Sequence, residues 1–317
     1  MQEIFEVTNR PSDALFFRNH DRQDVRLGEL VSSEIDHYGN SDVVIVGCPD
    51  DGGIVRAGGP ALASSAPDAI REHFYRLSNF GIHRKIFDLG NIVTDGNLER
   101  THERLRIVSD TVLRDGKRLI VLGGGGDIAY PNGVAMSEIF GRDRWLAINV
   151  DARLDIAEKS EITSETPFRK LLEADLILPS YLYEIAFQTQ DVSPVHYRHL
   201  VEIGSKLISL EMLRSRNAAD TELRETIRQE FIHHSRTMNV FFCFDLQAVR
   251  ASEAPGVTRP SPFGLRAGEF LKLVEFAADL VNTKLIAFAE VNPGSDQNGQ
   301  TAKLVAIAMH RICSAKL

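Results

Sequence analysis

The stretch Trp145-Leu-Ala-Ile-Asn-Val150, running straight into Asp151-Ala-Arg-Leu-Asp155, decides the fold class. A short, mostly apolar run without strict alternation describes a strand covered on both faces. It stops at two carboxylates four residues apart, and in open parallel sheets ligands sit beyond the carboxyl ends of the strands. Working outward, Asp42–Cys48, Lys85–Leu89 and Arg118–Leu122 precede it with the same character. Tyr181–Phe187, Lys206–Leu210, Val240–Phe244 and Leu285–Ala289 follow it, which makes eight expected strands. Amphipathic segments lie between most of them: Pro67–Leu77, Leu98–Asp115, Asp220–His233, Ala267–Asn282 and Thr301–Lys316. Strand alternating with helix predicts an α/β fold with an eight-stranded, mostly parallel sheet under helices. No Pro- or Gly-rich linker divides the chain, so residues 1–317 are read as one domain, with 1–41 as an N-terminal extension packing on it.

Composition narrows the function classes. Lys plus Arg number 36 and Asp plus Glu 44, a formal net charge of −8 with ten His neutral. At 43% apolar and 25% charged, the chain is neither disordered nor collagen-like. The acidic balance without a basic block argues against nucleic acid as the main partner. Three cysteines make no disulfide framework, which points to a reducing, intracellular setting, cytoplasmic rather than organellar. The opening MQEIFEVTNR lacks the apolar core of a signal peptide. No run approaches the ~18 apolar residues of a membrane span.

Polar residues gather just after five strand ends: Pro49–Gly59, Gly123–Asp127, Asp151–Asp155, Asp245–Gln247 and Glu290–Asp296. Five such ends imply one convergent site. Asp151, Asp155 and Asp245 offer the oxygen donors that a hard divalent cation prefers, although solvated loop aspartates or helix caps would look the same. Gly123-Gly-Gly-Gly-Asp127 has neither the P-loop ending nor the dinucleotide register, so it reads as a tight turn and no nucleotide cofactor is expected. His196-x-x-His199 and His233-His234 lack a third ligand and read as surface or core residues. Cys48 and Cys243 lie inside strands and read as buried, whereas Cys313 lies near the C-terminus, where exposure, if present, would permit an intermolecular disulfide; the sequence leaves that open.

In their order, these segments resemble the ureohydrolases: arginases, agmatinases and formiminoglutamases. Gly47-Cys-Pro-Asp-Asp-Gly-Gly53 through Ala66-Pro-Asp-Ala-Ile-Arg71 is similar to the family's N-terminal motif. Leu122-Gly-Gly-Gly-Gly-Asp127 resembles its LGGGHE/D block, and Asp151-Ala-Arg-Leu-Asp155 its DAHxD block. Ser164-Glu-Thr-Pro-Phe168 is similar to the SGTPF loop of formiminoglutamases. Phe244-Asp-Leu-Gln247, Ala254-Pro-Gly256 and Phe263-Gly-Leu265 follow the DxD block and its downstream segments, and Glu290-Val-Asn-Pro293 with Asp296 and Thr301-Ala302 the family's ending. The pattern is also similar to the arginase-like proteins of trypanosomatid parasites. The resemblance implies an arginase-like three-layer α/β/α fold, homo-oligomers (trimers or hexamers), and two Mn²⁺ ions held by six ligands.

The departures from that pattern bear on function. Gly126 and Arg153 stand where the resemblance places ligand histidines, and Gln247 where it places the last ligand aspartate. Asp151, Asp155 and Asp245 remain, all three in one cation's set, and Glu290 takes the place of the substrate-guanidinium carboxylate. Ala57 and Pro60 replace the Asn and Arg of the entry loop. Arg153 cannot coordinate a metal, and its guanidinium is expected to sit in the second cation's place and to pair with Glu290. The sequence therefore leans towards an arginase-like protein with an incomplete manganese site: one Mn²⁺ held weakly, little or no arginase activity, and a non-catalytic role with an unidentified small ligand. The alternative is an active single-metal ureohydrolase that cleaves a linear amidine or guanidine C–N bond, most naturally of formiminoglutamase type.

Overall fold

The structure, a computed structural model, describes residues 2–215 and 237–315. One nine-stranded sheet runs through it. Its strands are β1 (Thr8–Asn9), β2 (Val43–Gly47), β3 (Ile86–Ile92), β4 (Arg118–Leu122), β5 (Trp145–Val150), β6 (Leu182–Phe187), β7 (Lys206–Ser209), β8 (Asn239–Asp245) and β9 (Thr283–Ala289). The spatial order is β1-β3-β2-β4-β9-β8-β5-β6-β7. Every neighbouring pair is parallel except β1 with β3, where Thr8 pairs Ile92 and Asn9 pairs Asn91.

The eight expected strands are β2 to β9, with ends shifted by up to a few residues. The ninth, β1, is two residues long and leaves no periodic mark on the sequence. The apolar runs lack alternation because both faces are covered. Val43 and Ile45 point into a core shared with Phe74, Val274 and Val305. Val44 and Val46 point into a second core with Leu105, Met136 and Phe168. Helices Ala66–Phe74, Ala267–Asp279 and Gln300–Ser314 cover one face, and Leu98–Arg114, Ala129–Phe140 and Pro167–Glu173 the other. This is the three-layer α/β/α arrangement. The Leu98–Arg114 helix starts where Asn97 caps it, accepting from the Arg100 amide at 2.8 Å. The Ala129–Phe140 helix left no amphipathic signal, because its buried stripe (Ala129, Asn132, Gly133 and Met136) includes a polar residue and a glycine and so contrasts little with its other faces. Asp220–His233 and the His233-His234 pair lie outside the described residues.

Cys313 is fully buried, which closes it to an intermolecular disulfide. It sits one turn after Met309 on the inward stripe of the Gln300–Ser314 helix, with Val305 and Ile312, so position near the chain end does not decide exposure. Cys48 and Cys243 are buried, as their strands require, and all three thiols are free.

A charged cluster pins the Ala66–Phe74 helix to β3. Arg71, wholly buried, donates through Nε and Nη2 to the two oxygens of Asp88, each at 2.9 Å. Tyr75 Oη and the Gly90 amide also donate to Asp88, at 2.6 and 2.8 Å. Arg71 reaches in addition Asp68, Asn91 and the Gly90 carbonyl, so the pair is saturated.

Candidate metal centre

Asp245 ends β8, and Asp151 follows the last residue of β5. These strands are neighbours with Val150 opposite Phe244, so the two aspartates come next in register at the carboxyl edge. Asp155 returns to them through a loop that β6 fixes: the Asp151 amide donates to Ile185 O at 3.1 Å and the Gln188 amide to Ala152 O at 2.8 Å. Asp155 holds φ at +46° and Glu290 at +63°, a left-handed conformation that is costly outside glycine and concentrates at functional sites.

The structure brings the three expected aspartates together. Each offers a carboxylate oxygen within 4.8 Å of the others, and all three are buried. Burial pushes Asp155 and Asp245 well above the ordinary carboxylate range, and the neighbouring acids, Asp151 foremost, push the same way. Asp151 is raised too, by burial, against the pull of Arg153. Its Oδ2 is buried without a hydrogen-bond partner. Three buried carboxylates, one with an unsatisfied oxygen, are a donor set that fits one hard divalent cation.

The other three positions add no ligand. Gly126 opens a short 3-10 turn after β4. A Cβ there would lie 3.3 Å from Asp155 Oδ2 and 3.8 Å from Asp245 Oδ2, so position 126 faces the cluster directly and glycine leaves that side without a ligand. Arg153 Nη2 donates to Gln247 Oε1, and the Gln247 amide donates to Asp245 Oδ1 at 2.7 Å. The two substituted positions are thus tied to each other. Burial opposes the charge of Arg153, but Asp151, Asp155, Asp245 and Glu290 outweigh it and raise its pKa.

Glu290 closes the floor. Its amide donates to Gly124 O at 2.7 Å, and its Oε1 accepts from the Gly126 amide at 3.0 Å. Glycine at 124 is required on its other side, by the backbone of Asp50: a Cβ would stand 2.0 Å from Asp50 O. The expected pairing of Glu290 with Arg153 does not form: the Arg153 hydrogen bond goes to Gln247, because Glu290 is turned to the Gly126 amide. Burial, with Asp127 and Asp151 nearby, pushes Glu290 up to about 7. A narrow throat lined by Glu290, Arg153, Gln247, Ala57 and Arg259 opens towards a cavity of about 290 Å³, bounded by Asp155, Glu165, Asp191, His196 and Arg259. Arg259 pairs with Glu165 at 2.7 Å. His196 lines this cavity half-buried, Glu165 belongs to the Ser164–Phe168 loop already singled out, and Arg259 carries no signal in the sequence because single charges in loops look alike there.

The sheet order, the glycine turn and the aspartate cluster together set up the comparison with known proteins. Residues 41–314 match the model of the arginase family. This chain belongs to the arginase family. Formimidoylglutamase of Klebsiella pneumoniae is 29% identical over 272 residues, covering 84% of this chain and 83% of that protein. The structure of Trypanosoma cruzi formiminoglutamase, solved with Mn²⁺, superposes with a TM-score of 0.83 at 30% identity, covering 92% of this chain and 97% of that one. Formimidoylglutamase of Bacillus subtilis shares the fold, with a TM-score of 0.83 at 22% identity over 94% of this chain and 96% of that one. The relatives' names weigh towards the hydrolase alternative rather than the disabled reading. Among the described residues of this family member, no helix is long and apolar enough to cross a membrane.

Proposed function

We propose that this arginase-family chain holds a single divalent cation, Mn²⁺ foremost, on Asp151, Asp155 and Asp245, and works on a linear amidine of the formimidoylglutamate kind. The cluster of three buried carboxylates carries the reading. The formimidoylglutamase relatives supply the substrate class. When bound, such a cation supplies Lewis acidity and eases deprotonation of water near neutral pH. The remaining work falls to the chain's own residues. Glu290, at the throat, is placed to receive the cationic amidine and to exchange a proton near neutrality. Arg153 adds positive charge where that amidine would sit, which weakens its binding and slows turnover.

The Arg153–Gln247 contact favours a second reading, in which the pocket binds a ligand without turning it over. Formamide release from N-formimidoyl-L-glutamate and urea release from arginine, measured in millimolar Mn²⁺, separate the two. Turnover at or above ~1 s⁻¹, the low end of the usual enzyme range, sinks the binding-only reading. Bound Mn²⁺ without product sinks the hydrolase. The cation itself is checked by melting: Mn²⁺ raises the melting temperature of the parent and not of Asp155→Ala. We also propose one domain over residues 1–317 and a homo-oligomer, with light scattering as the check on assembly.

A further inference from the structure

Glu184 lies in the middle of β6, wholly buried, and takes no part in the site described above. Its Oε2 accepts from Asn149 Nδ2 at 2.9 Å, while Oε1 has no partner. Among the described residues it forms no ion pair. Strand register places it exceptionally close to the cation ligands. Asn149 stands opposite Glu184 on β6 and opposite Cys243 on β8. Two residues further on, and therefore on the same face of the sheet, come Asp151 and Asp245. The row Glu184–Asn149–Cys243 thus lies one pleat, roughly 7 Å, beneath the row that carries two of the three aspartates. The strand bearing Glu184 is also the one whose Ile185 carbonyl receives the Asp151 amide.

A buried carboxyl in mid-strand is costly, and an apolar side chain would pack there without that cost. Burial, then Asp151, pushes Glu184 well above its ordinary range. We propose that Glu184 is a positioning residue for the cation site: through Asn149 it fixes the end of β5 that presents Asp151. The inference rests on reading the three aspartates as a cation site. Partners bonded directly to metal ligands typically change affinity by about 10–100-fold, and Glu184, acting one bond further out through Asn149, is expected at the low end of that range.

Calorimetric titration of the full chain with Mn²⁺, beside melting of the metal-free protein, tests it. Glu184→Leu removes the acceptor for Asn149 and is expected to weaken Mn²⁺ binding about tenfold. Its metal-free melting temperature is expected to rise, because a buried acid is gone. A purely structural role would move both readouts downward together. Glu184→Gln keeps an oxygen for Asn149 and is expected to restore affinity to within about twofold of the parent. Asn149→Leu cuts the same bond from the other side and decides the matter if Glu184→Leu does not fold. Parent-like Mn²⁺ affinity in Glu184→Leu, or in Asn149→Leu, overturns the inference and leaves the cation site standing. Absence of Mn²⁺ binding by the parent overturns both.

Discussion

Two buried charge clusters of this molecule invite comparison. At Arg71–Asp88, both groups are fully buried, yet every oxygen of Asp88 and every nitrogen of Arg71 meets a partner. At Asp151–Asp155–Asp245, burial is equally deep, but acids outnumber the one guanidinium, and Asp151 Oδ2 and Glu290 Oε2 meet nothing. The first cluster is complete in the folded chain and holds a helix to a strand. The second holds unrelieved repulsion, which burial in a low-dielectric interior magnifies. Burial alone does not separate architecture from chemistry; the count of unmatched oxygens does.

The largest expected effect breaks the complete cluster. Arg71→Leu strands Asp88 in the core and is expected to cost about 3–5 kcal/mol in urea unfolding. A loss below about 1 kcal/mol would erase the contrast.

Next comes the pH response of the incomplete cluster. Glu290 rises from 4.5 to about 7, so the folded state holds its proton more tightly than the unfolded chain. That stability is fully present below pH 4.5 and is lost as pH rises through about 7, roughly 3 kcal/mol in all. Denaturation in a chelator at pH 5 and pH 8 measures it, and Glu290→Gln should reduce the slope, leaving only the part carried by the raised aspartates.

Tyr75→Phe removes one charge-assisted bond from Asp88 and should cost about 2 kcal/mol, read from the same urea curves. The smallest effect has the opposite sign. Asp245→Asn relieves repulsion and should stabilise the metal-free protein by about 1 kcal/mol, while abolishing any rise in melting temperature with Mn²⁺. Destabilisation by that substitution would mean that the second cluster is as settled as the first.

What the sequence disclosed follows the range of each signal. Apolar runs and the carboxylates that end them are local, so eight strands and the three aspartates could be read directly. The positions of Gly126, Arg153 and Gln247 came through resemblance, and the fold gathers all three around the cluster. The Arg153–Gln247 contact spans 94 positions and arises only when β5 and β8 lie side by side. Glu184 looks like an interruption of the apolar run Tyr181–Phe187 until register sets it beneath Asp151. β1 is too short to show a period, and the burial of Cys313 is not legible because chain-end position says little about a helix whose inward stripe runs to its last turn.

The strand order has a consequence for assembly during synthesis. β1 to β4 form one block and β5 to β7 another, and within the sheet the two blocks are joined only through β9 and β8, which follow the other seven strands in the chain. Until those strands emerge, β4 and β5 present open edges to each other across a gap. The last quarter of the sequence, from β8 onward, therefore acts as a keystone. A nascent chain halted before residue 239 has two half-sheets, sticky edges, and no place where a cation ligand set can form.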